Sequence, residues 1–182
     1  MRRKTFDGIL TAVGAVLTLF LIVAGVLGLW ASSFTNSNVH NQLAQQKITF
    51  PALGSAELAS PQIGPYLNQY AGQPLLTGPQ AEAWADHFIA VHLEKIGGGK
   101  TYSQLSAEAQ ADPTNTKLAG QVDTVFRGTT LRGLLLEAYA FWKMGQIALF
   151  AAIASFILAG LMLILTILGF LHLRKVPETA EL

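Results

Sequence analysis

Two uncharged apolar runs set the architecture of this 182-residue chain: ILTAVGAVLTLFLIVAGVLGLWA at residues 9–31 and IALFAAIASFILAGLMLILTILGFL at residues 147–171. Neither run contains an Asp, Glu, Lys or Arg. At about 1.5 Å of rise per residue, each run forms a helix longer than the hydrocarbon core of a bilayer, which is about 30 Å thick. The sequence therefore predicts two transmembrane helices, one near each end of the chain.

Basic residues flank both predicted spans on the sides that face the chain termini. Arg2, Arg3 and Lys4 stand directly before the first run, and Arg174 and Lys175 follow the second. Because Lys and Arg are retained on the cytoplasmic side, we expect a plasma-membrane protein with both termini in the cytoplasm. The predicted organisation is a cytoplasmic tail at 1–8, a span at 9–31, an extracytoplasmic domain at 32–146, a second span at 147–171 and a cytoplasmic tail at 172–182.

The first run allows a second interpretation, as a cleaved signal peptide. Ala31, Ser32 and Ser33 are the small residues that a signal peptidase accepts. However, the run is longer than the about 7–15 apolar residues of a typical signal-peptide core. The length favours an uncleaved signal anchor, and either interpretation places the middle section on the same side of the membrane.

Aromatic and basic side chains gather where the predicted spans meet the middle section. Trp and Tyr favour the headgroup level of a bilayer, because each ring system is largely apolar but carries one polar group that hydrogen-bonds to water. The predicted membrane-interface anchors are Trp30, Tyr139, Phe141, Trp142 and Lys143.

Small residues recur at four-residue spacing within both spans. They allow two helix backbones to approach closely, either within one chain or between chains. The predicted helix-packing residues are Ala24, Gly28, Ala151, Ser155 and Ala159. The expected partners are therefore the lipid bilayer and either further copies of this chain or another membrane protein.

The middle section carries mostly helical signals, so the predicted fold class is mainly α: a small helical domain flanked by two transmembrane helices. A short helix is expected to continue the first span through Val39 and Leu43, and Lys47–Phe50 is the one strand-like stretch. One helix is predicted from Pro79 to Ile96, ended by Gly97–Gly99, and a second begins at Thr101 with a Thr-x-x-Gln capping box and ends before Asp112. A third is predicted from Thr114 to a break near Gly128. The last is one long helix from Thr129 or Thr130 to before Pro177, continuous with the second span.

Composition excludes several functions. The chain has 12 basic and 11 acidic residues, so it has no overall field for nucleic acid. It contains no cysteine, so the middle section folds without disulfides or zinc thiolates. The spans contain no titratable side chain, which argues against a pump or transporter formed by this chain alone.

No motif in the middle section predicts a chemistry. Gly97-Gly98-Gly99-Lys100-Thr101 lacks the earlier glycine and the preceding strand of a phosphate-binding loop, and is interpreted as a helix stop. The candidate metal ligands are His40, His87 and His92, but the last two are five residues apart, whereas one metal on a helix needs a spacing of three or four. We therefore expect no catalytic residue, no cofactor and no metal.

Four blocks carry a resemblance to a known family: Ser37–Leu43, Ala85–His92, Leu131–Leu136 and Ala140–Lys143. With the terminal spans, they resemble a family of two-span actinobacterial membrane proteins of uncharacterised function. Members are sometimes labelled as the small subunit of an aromatic-ring-opening dioxygenase. Non-haem iron chemistry needs clustered His and carboxylate ligands, which this sequence does not supply. The resemblance therefore implies a location in the cell envelope and not that activity.

Three functional hypotheses follow. The leading one is a non-enzymatic accessory or scaffold subunit of a membrane complex. The alternative is a ligand- or lipid-binding module with an apolar pocket formed by aromatic residues of the middle section: Tyr66, Tyr70, Trp84, Phe88 and Trp142. The third is a metal-dependent enzyme that uses the three candidate histidines.

Overall fold

The computed structural model describes residues 2–178 and 180, and this part of the chain is mainly helical. The helices are α1 (Arg3–Gln46), α2 (Gly64–Leu67), α3 (Gly78–Trp84), α4 (Ala90–Gly97), α5 (Tyr102–Ala111) and α6 (Thr116–Leu173), with a 3-10 turn at Asn68–Tyr70 and a π-helical turn at Ala85–Ile89. The chain divides into two compact units. We call Thr35–Lys143 the central unit, and the terminal segments on either side of it the span unit.

The helices α1 and α6 are long and apolar enough to cross a membrane. In their most apolar windows only 17% of α1 and 11% of α6 is buried. The core helix of a soluble protein would bury most of such a window, because exposure of large apolar side chains to water is unfavourable. The low burial is what two spans facing lipid would show.

Glycines in the span unit mark where α1 and α6 approach most closely. A Cβ atom added to Gly28 would lie 2.9 Å from the Ala152 Cβ, and one added to Gly14 would lie 2.7 Å from the Thr166 Oγ1. In lipid the hydrophobic effect does not drive two helices together, so their association depends on close packing of this kind. The same arrangement recurs with roles exchanged at Gly169, where the added atom would lie 2.9 Å from the Thr11 Oγ1.

The predicted small residues take up these positions with one correction. Gly28 and Ala159 lie in the contact, and Ala24 and Ser155 are partly buried. Ala151, however, is exposed, and its neighbour Ala152 is buried instead. The predicted residues Ala151, Ser155 and Ala159 lie at four-residue intervals, whereas an α-helix has 3.6 residues per turn. The contact line therefore drifts by one residue over two turns.

The helix α6 corrects the predicted break near Gly128. A single helix of 58 residues begins at Thr116, and Gly128 lies inside it. A Cβ atom at Gly128 would clash with the Leu93 Cδ2. Glycine costs about 1 kcal/mol relative to alanine in a helix, and here it leaves space for the side chain of another helix. The residue is a packing position and not a helix end.

The first span also continues as predicted. α1 extends to Gln46, and Val39 and Leu43 are buried in the central unit. The strand-like stretch after it forms only one antiparallel bridge, between Thr49 and Pro74. Beside it, the Phe50 N–H donates to Gln73 and the Leu75 N–H donates to Ile48. Pro51 and Pro74 have no N–H to extend the ladder, so no strand develops in the described residues.

The predicted helix from Pro79 to Ile96 is present with an altered register. We call α3, the π-helical turn and α4 together the middle helix. Thr77 and Gln80 form a capping box at its start, and Gly98 ends it with a φ of 61°. The π-helical turn shifts the positions that follow it around the axis. Ile96, near the end of the middle helix, is exposed.

Local signals predicted α5 correctly. Thr101 accepts a hydrogen bond from the Gln104 N–H, and the Gln104 side chain accepts one from the Thr101 N–H, as the capping box requires. The helix ends at Ala111, before Asp112 and Pro113. The core of the central unit lies between these helices and the loops around α2. Its buried members include Val39, Leu43, Phe50, Ile63, Leu67, Leu75, Ala81, Ala85, Ile89 and Leu135.

Candidate functional site

The middle helix and the first part of α6 pack side by side and antiparallel in the central unit. The start of the middle helix contacts later residues of α6, and the end of the middle helix contacts earlier residues of α6. From one end to the other, the facing pairs are Gly78 with Trp142, Glu82 with Tyr139, Asp86 with Arg132, Leu93 with Gly128, and Ile96 with Gln121.

An ion pair lies at the centre of this contact. The Arg132 Nη2 donates to the Asp86 Oδ1 at 2.6 Å, and both side chains are about a third exposed, at 39% and 35%. The Arg132 Nε is buried without a hydrogen-bond partner. The pair joins residues 46 apart in sequence, so it fixes the register of the two helices.

Replacing this carboxylate should destabilise the central unit. We expect Asp86→Asn to lower the free energy of unfolding by about 1 kcal/mol, because Arg132 loses a charged acceptor while remaining partly buried. Asp123→Asn is the matched control, since Asp123 pairs with Arg127 one turn away on an exposed helix surface. Thermal unfolding of the purified protein in mild detergent compares the two variants. Equal effects would assign Asp86 no role in joining the helices.

Glu82 and Tyr139 form the next polar contact. Partial burial of Tyr139, followed by the charge of Glu82 and a hydrogen bond to it, raises the pKa of the Tyr139 phenol above its ordinary value of 10.0. This contact joins α6 to the middle helix.

The three candidate metal ligands do not meet. The His87 ring stacks on Tyr66 with ring centroids 3.5 Å apart, and the His92 Nδ1 lies 2.7 Å from the Phe88 carbonyl oxygen. His40 is exposed, on α1. Within residues 2–178 and 180, no three His, Asp or Glu side chains are placed to hold a metal ion. The described residues therefore provide no cluster for metal chemistry.

The aromatic residues expected to form one pocket are used in two other ways. Trp84 stacks on Phe88 and meets the buried Phe50 edge-on, so these rings fill the core. Tyr66 and Tyr70 line a small polar hollow beside Glu82, Asp86 and His87. Trp142 lines a different hollow, with His40 and Thr77. The expected set is thus divided among the core and two separate hollows.

The residues predicted at the membrane interface lie in different surroundings. In the span unit, Trp30 is exposed and stacks on Phe34, with ring centroids 5.7 Å apart. In the central unit, Tyr139 and Trp142 are partly buried against the middle helix, and the Lys143 ammonium lies 6.0 Å from the Trp142 ring. Their role as anchors stays a prediction. Phe141, on another side of α6, is 36% exposed.

Phe141 lines an open, mostly apolar concavity of the central unit. We call it the α1–α6 groove, because it lies between the end of α1 and the first part of α6. It has a volume of about 540 Å³ and is open to its surroundings. Its apolar lining is Val39, Leu43, Leu131, Leu134, Leu135, Ala138 and Phe141, and its polar lining is Asn38, Gln42, Gln46 and Glu137.

Sequence reasoning did not single out this groove. Leu131, Leu134, Ala138 and Phe141 follow one another at intervals of three, four and three residues, and this spacing is the available signal. Leu134 is 58% exposed and Leu131 is 38% exposed, so the described chain leaves this line largely uncovered. Ala138 is partly buried against the core, but large apolar residues exposed on either side of it indicate a contact surface.

No protein-family model, no curated protein and no solved structure matches this chain.

Proposed function

We propose that this chain is a non-enzymatic integral membrane protein of the plasma membrane, acting as an accessory or scaffold subunit of a cell-envelope complex. In this proposal the central unit lies outside the cytoplasm and both termini lie inside. The observation that carries it is the open α1–α6 groove, on helices that also contain the two candidate spans.

The charge distribution supports the proposed orientation. Five basic residues lie at the two terminal ends of the candidate spans, and inverting the chain would place all five outside. The section between the spans, residues 32–146, has seven basic and eight acidic side chains, so it has no comparable cytoplasmic signal.

The use of polar side chains supports a binding rather than a catalytic role. The Asp86–Arg132 ion pair and the Glu82–Tyr139 contact both join the middle helix to α6. A general base or nucleophile instead requires a titratable group that is free to reach a substrate. The groove, by contrast, offers exposed leucine and phenylalanine side chains, which gain free energy when a partner covers them.

One observation favours an alternative function. An apolar groove of about 540 Å³ lies within the size range of small-molecule sites. The alternative is an extracytoplasmic module that binds a lipid or another apolar ligand, anchored by its two spans. After gentle extraction, the alternative predicts a lipid or other apolar ligand in the groove, whereas the accessory function predicts a protein partner there.

Affinity purification from native membranes in mild detergent tests the proposal, with mass determination of the intact complex. The accessory function predicts a protein partner in a fixed ratio, which is lost in Leu134→Glu and retained in the control Leu53→Glu. Leu53 is 75% exposed and does not line the groove. A monomer that carries a lipid in a fixed ratio would contradict the accessory function and favour the alternative.

A further inference from the structure

A crevice lies between α1 and α6 in the part of the span unit nearest the chain termini. It has a volume of about 390 Å³. The Thr11 and Thr166 hydroxyls donate to carbonyl oxygens of their own helices, so the walls of the crevice are largely apolar. We call it the span crevice, and its lining includes Leu10, Gly14 and Leu17 of α1 and Met162, Leu165 and Gly169 of α6.

The lining of the span crevice extends along both helices. Leu10 to Leu17 on α1 and Met162 to Gly169 on α6 each correspond to about 10 Å of helix axis. Both helices are candidate membrane spans. The crevice therefore follows the direction in which lipid acyl chains lie in a bilayer.

The terminal ends of α1 and α6 meet just beyond the span crevice. The Lys4 Nζ lies 3.0 Å from the Glu178 Oε1, and the Asp7 Oδ2 lies 3.8 Å from the His172 Nε2. Lys4 precedes Leu10 of the crevice by about 9 Å of helix axis. The terminal basic residues therefore gather at the level directly beyond the crevice: Arg2, Arg3, Lys4, Arg174 and Lys175.

Neighbouring carboxylates balance only part of this positive charge. Residues 1–8 and 172–182 contain five basic and three acidic residues. Asp7 lies 3.9 Å from the Arg3 Nε, and Glu178 pairs with Lys4. Within residues 2–178 and 180, three exposed basic side chains pair with no carboxylate and are available to an anion: Arg2, Arg174 and Lys175.

We propose that the span crevice binds one anionic phospholipid, with an acyl chain in the crevice and the headgroup phosphate on Arg174 and Lys175. The inference rests on the proposed function only in placing α1 and α6 in a bilayer. A phospholipid carries its charge at one end of its apolar chains, which is the order of the apolar and basic residues here. The Arg174 guanidinium lies 4.6 Å from the centre of the Phe170 ring, and this cation–π contact restricts the side chain before a lipid binds.

Charge selects a lipid rather than a transmembrane helix as the occupant. A second copy of this chain would bring the same five basic residues to the same level, and other membrane proteins also carry Lys and Arg at the cytoplasmic ends of their spans. Either helix would add like charge, which is unfavourable. An anionic headgroup instead neutralises the cluster, and basic groups between spans on the cytoplasmic side are suited to such lipids.

Native mass spectrometry of the full chain, purified in mild detergent and stripped of lipid, tests the headgroup site. Phosphatidylglycerol should bind as one molecule per chain, and more tightly than phosphatidylcholine, which has no net charge. Arg174→Gln combined with Lys175→Gln should weaken phosphatidylglycerol binding by about fivefold for each cation removed. Lys95→Gln combined with Lys117→Gln is the matched control, since it removes the same charge from exposed positions of the central unit.

Leu165→Trp tests the acyl-chain site. Leu165 lines the span crevice and is 61% exposed, so a larger side chain there should obstruct the crevice and weaken phosphatidylglycerol binding. Leu168→Trp is the control, because Leu168 is 56% exposed on α6 and does not line the crevice. Glycerol 3-phosphate, which carries the phosphate without an acyl chain, should not compete with phosphatidylglycerol.

Three results would overturn the inference. The first is equal binding of the two lipids, or equal effects of the two double variants. The second is competition by glycerol 3-phosphate, which would assign the basic residues to a free anion. The third is a lipid that is lost in Leu134→Glu but retained in the Arg174→Gln and Lys175→Gln variant, which would place it in the α1–α6 groove and favour the alternative function. The accessory function is tested separately, because its protein partner depends on Leu134 and not on Arg174 or Lys175.

Discussion

Gly78→Ala should unfold the central unit at a markedly lower temperature than the unmodified protein. A Cβ atom at Gly78 would lie 2.5 Å from both Cβ and Cγ of Trp142. These two atoms lie at the base of the side chain, so a rotamer change cannot move both away. The middle helix and α6 would have to separate, and overpacking of this kind costs about 1–3 kcal/mol.

Gly133→Ala provides the control for that prediction. Gly133 lies in the same helix as Trp142, and a Cβ atom added there meets nothing within 4 Å. Alanine is favoured over glycine in a helix by about 1 kcal/mol, so this variant should be neutral or slightly more stable. Thermal unfolding in mild detergent, followed by tryptophan fluorescence, compares both variants. A Gly78→Ala protein as stable as Gly133→Ala would mean that the two helices do not meet at Trp142.

The second large effect is expected in the span unit, from Gly28→Leu. At Gly28 the nearest atoms to an added Cβ are the Ala152 Cβ at 2.9 Å and the Ala148 carbonyl oxygen at 3.0 Å. Neither group can rotate aside, so a leucine would push α1 and α6 apart and remove the close contacts on which helix association in lipid depends. We expect a loss of about 1–3 kcal/mol.

Gly160→Leu is the matched control for the span unit. Gly160 also lies in an apolar run, and a Cβ atom added there meets nothing within 4 Å. Its substitution adds an apolar side chain on an exposed surface, where lipid accepts it. The melting temperatures of the two variants in the same detergent give the comparison. A larger loss for Gly160→Leu than for Gly28→Leu would contradict the placement of the helix contact.

The parts of the fold that the sequence predicted are those set by local signals. Uncharged length alone identifies the two candidate spans. The Thr101 and Gln104 capping box and the left-handed turn at Gly98 depend on a few neighbouring residues, and both are present. The same type of local signal gave a wrong prediction at Gly128, where a helix break was expected and α6 is continuous. A glycine both weakens a helix and allows close approach, and only the position of Leu93 in another helix distinguishes the two roles.

The candidate site depended on information that the sequence does not display locally. Asp86 and Arg132 lie 46 residues apart in sequence, and they meet because the middle helix packs against α6. The groove line from Leu131 to Phe141 is visible as a spacing, but a buried core line has the same spacing. The groove line is recognised as a surface because Leu131 and Leu134 are exposed, and their exposure depends on the tertiary structure.

The proposed placement of the central unit outside the cytoplasm is tested most directly by measuring the topology of the chain in intact cells. Leu53→Cys lies in the central unit and is 75% exposed, and Lys175→Cys follows the second candidate span. A membrane-impermeant maleimide should label Leu53→Cys in intact cells, and should label Lys175→Cys only after the membrane is opened. Labelling of Lys175→Cys but not Leu53→Cys in intact cells would place the central unit in the cytoplasm and contradict the proposed function.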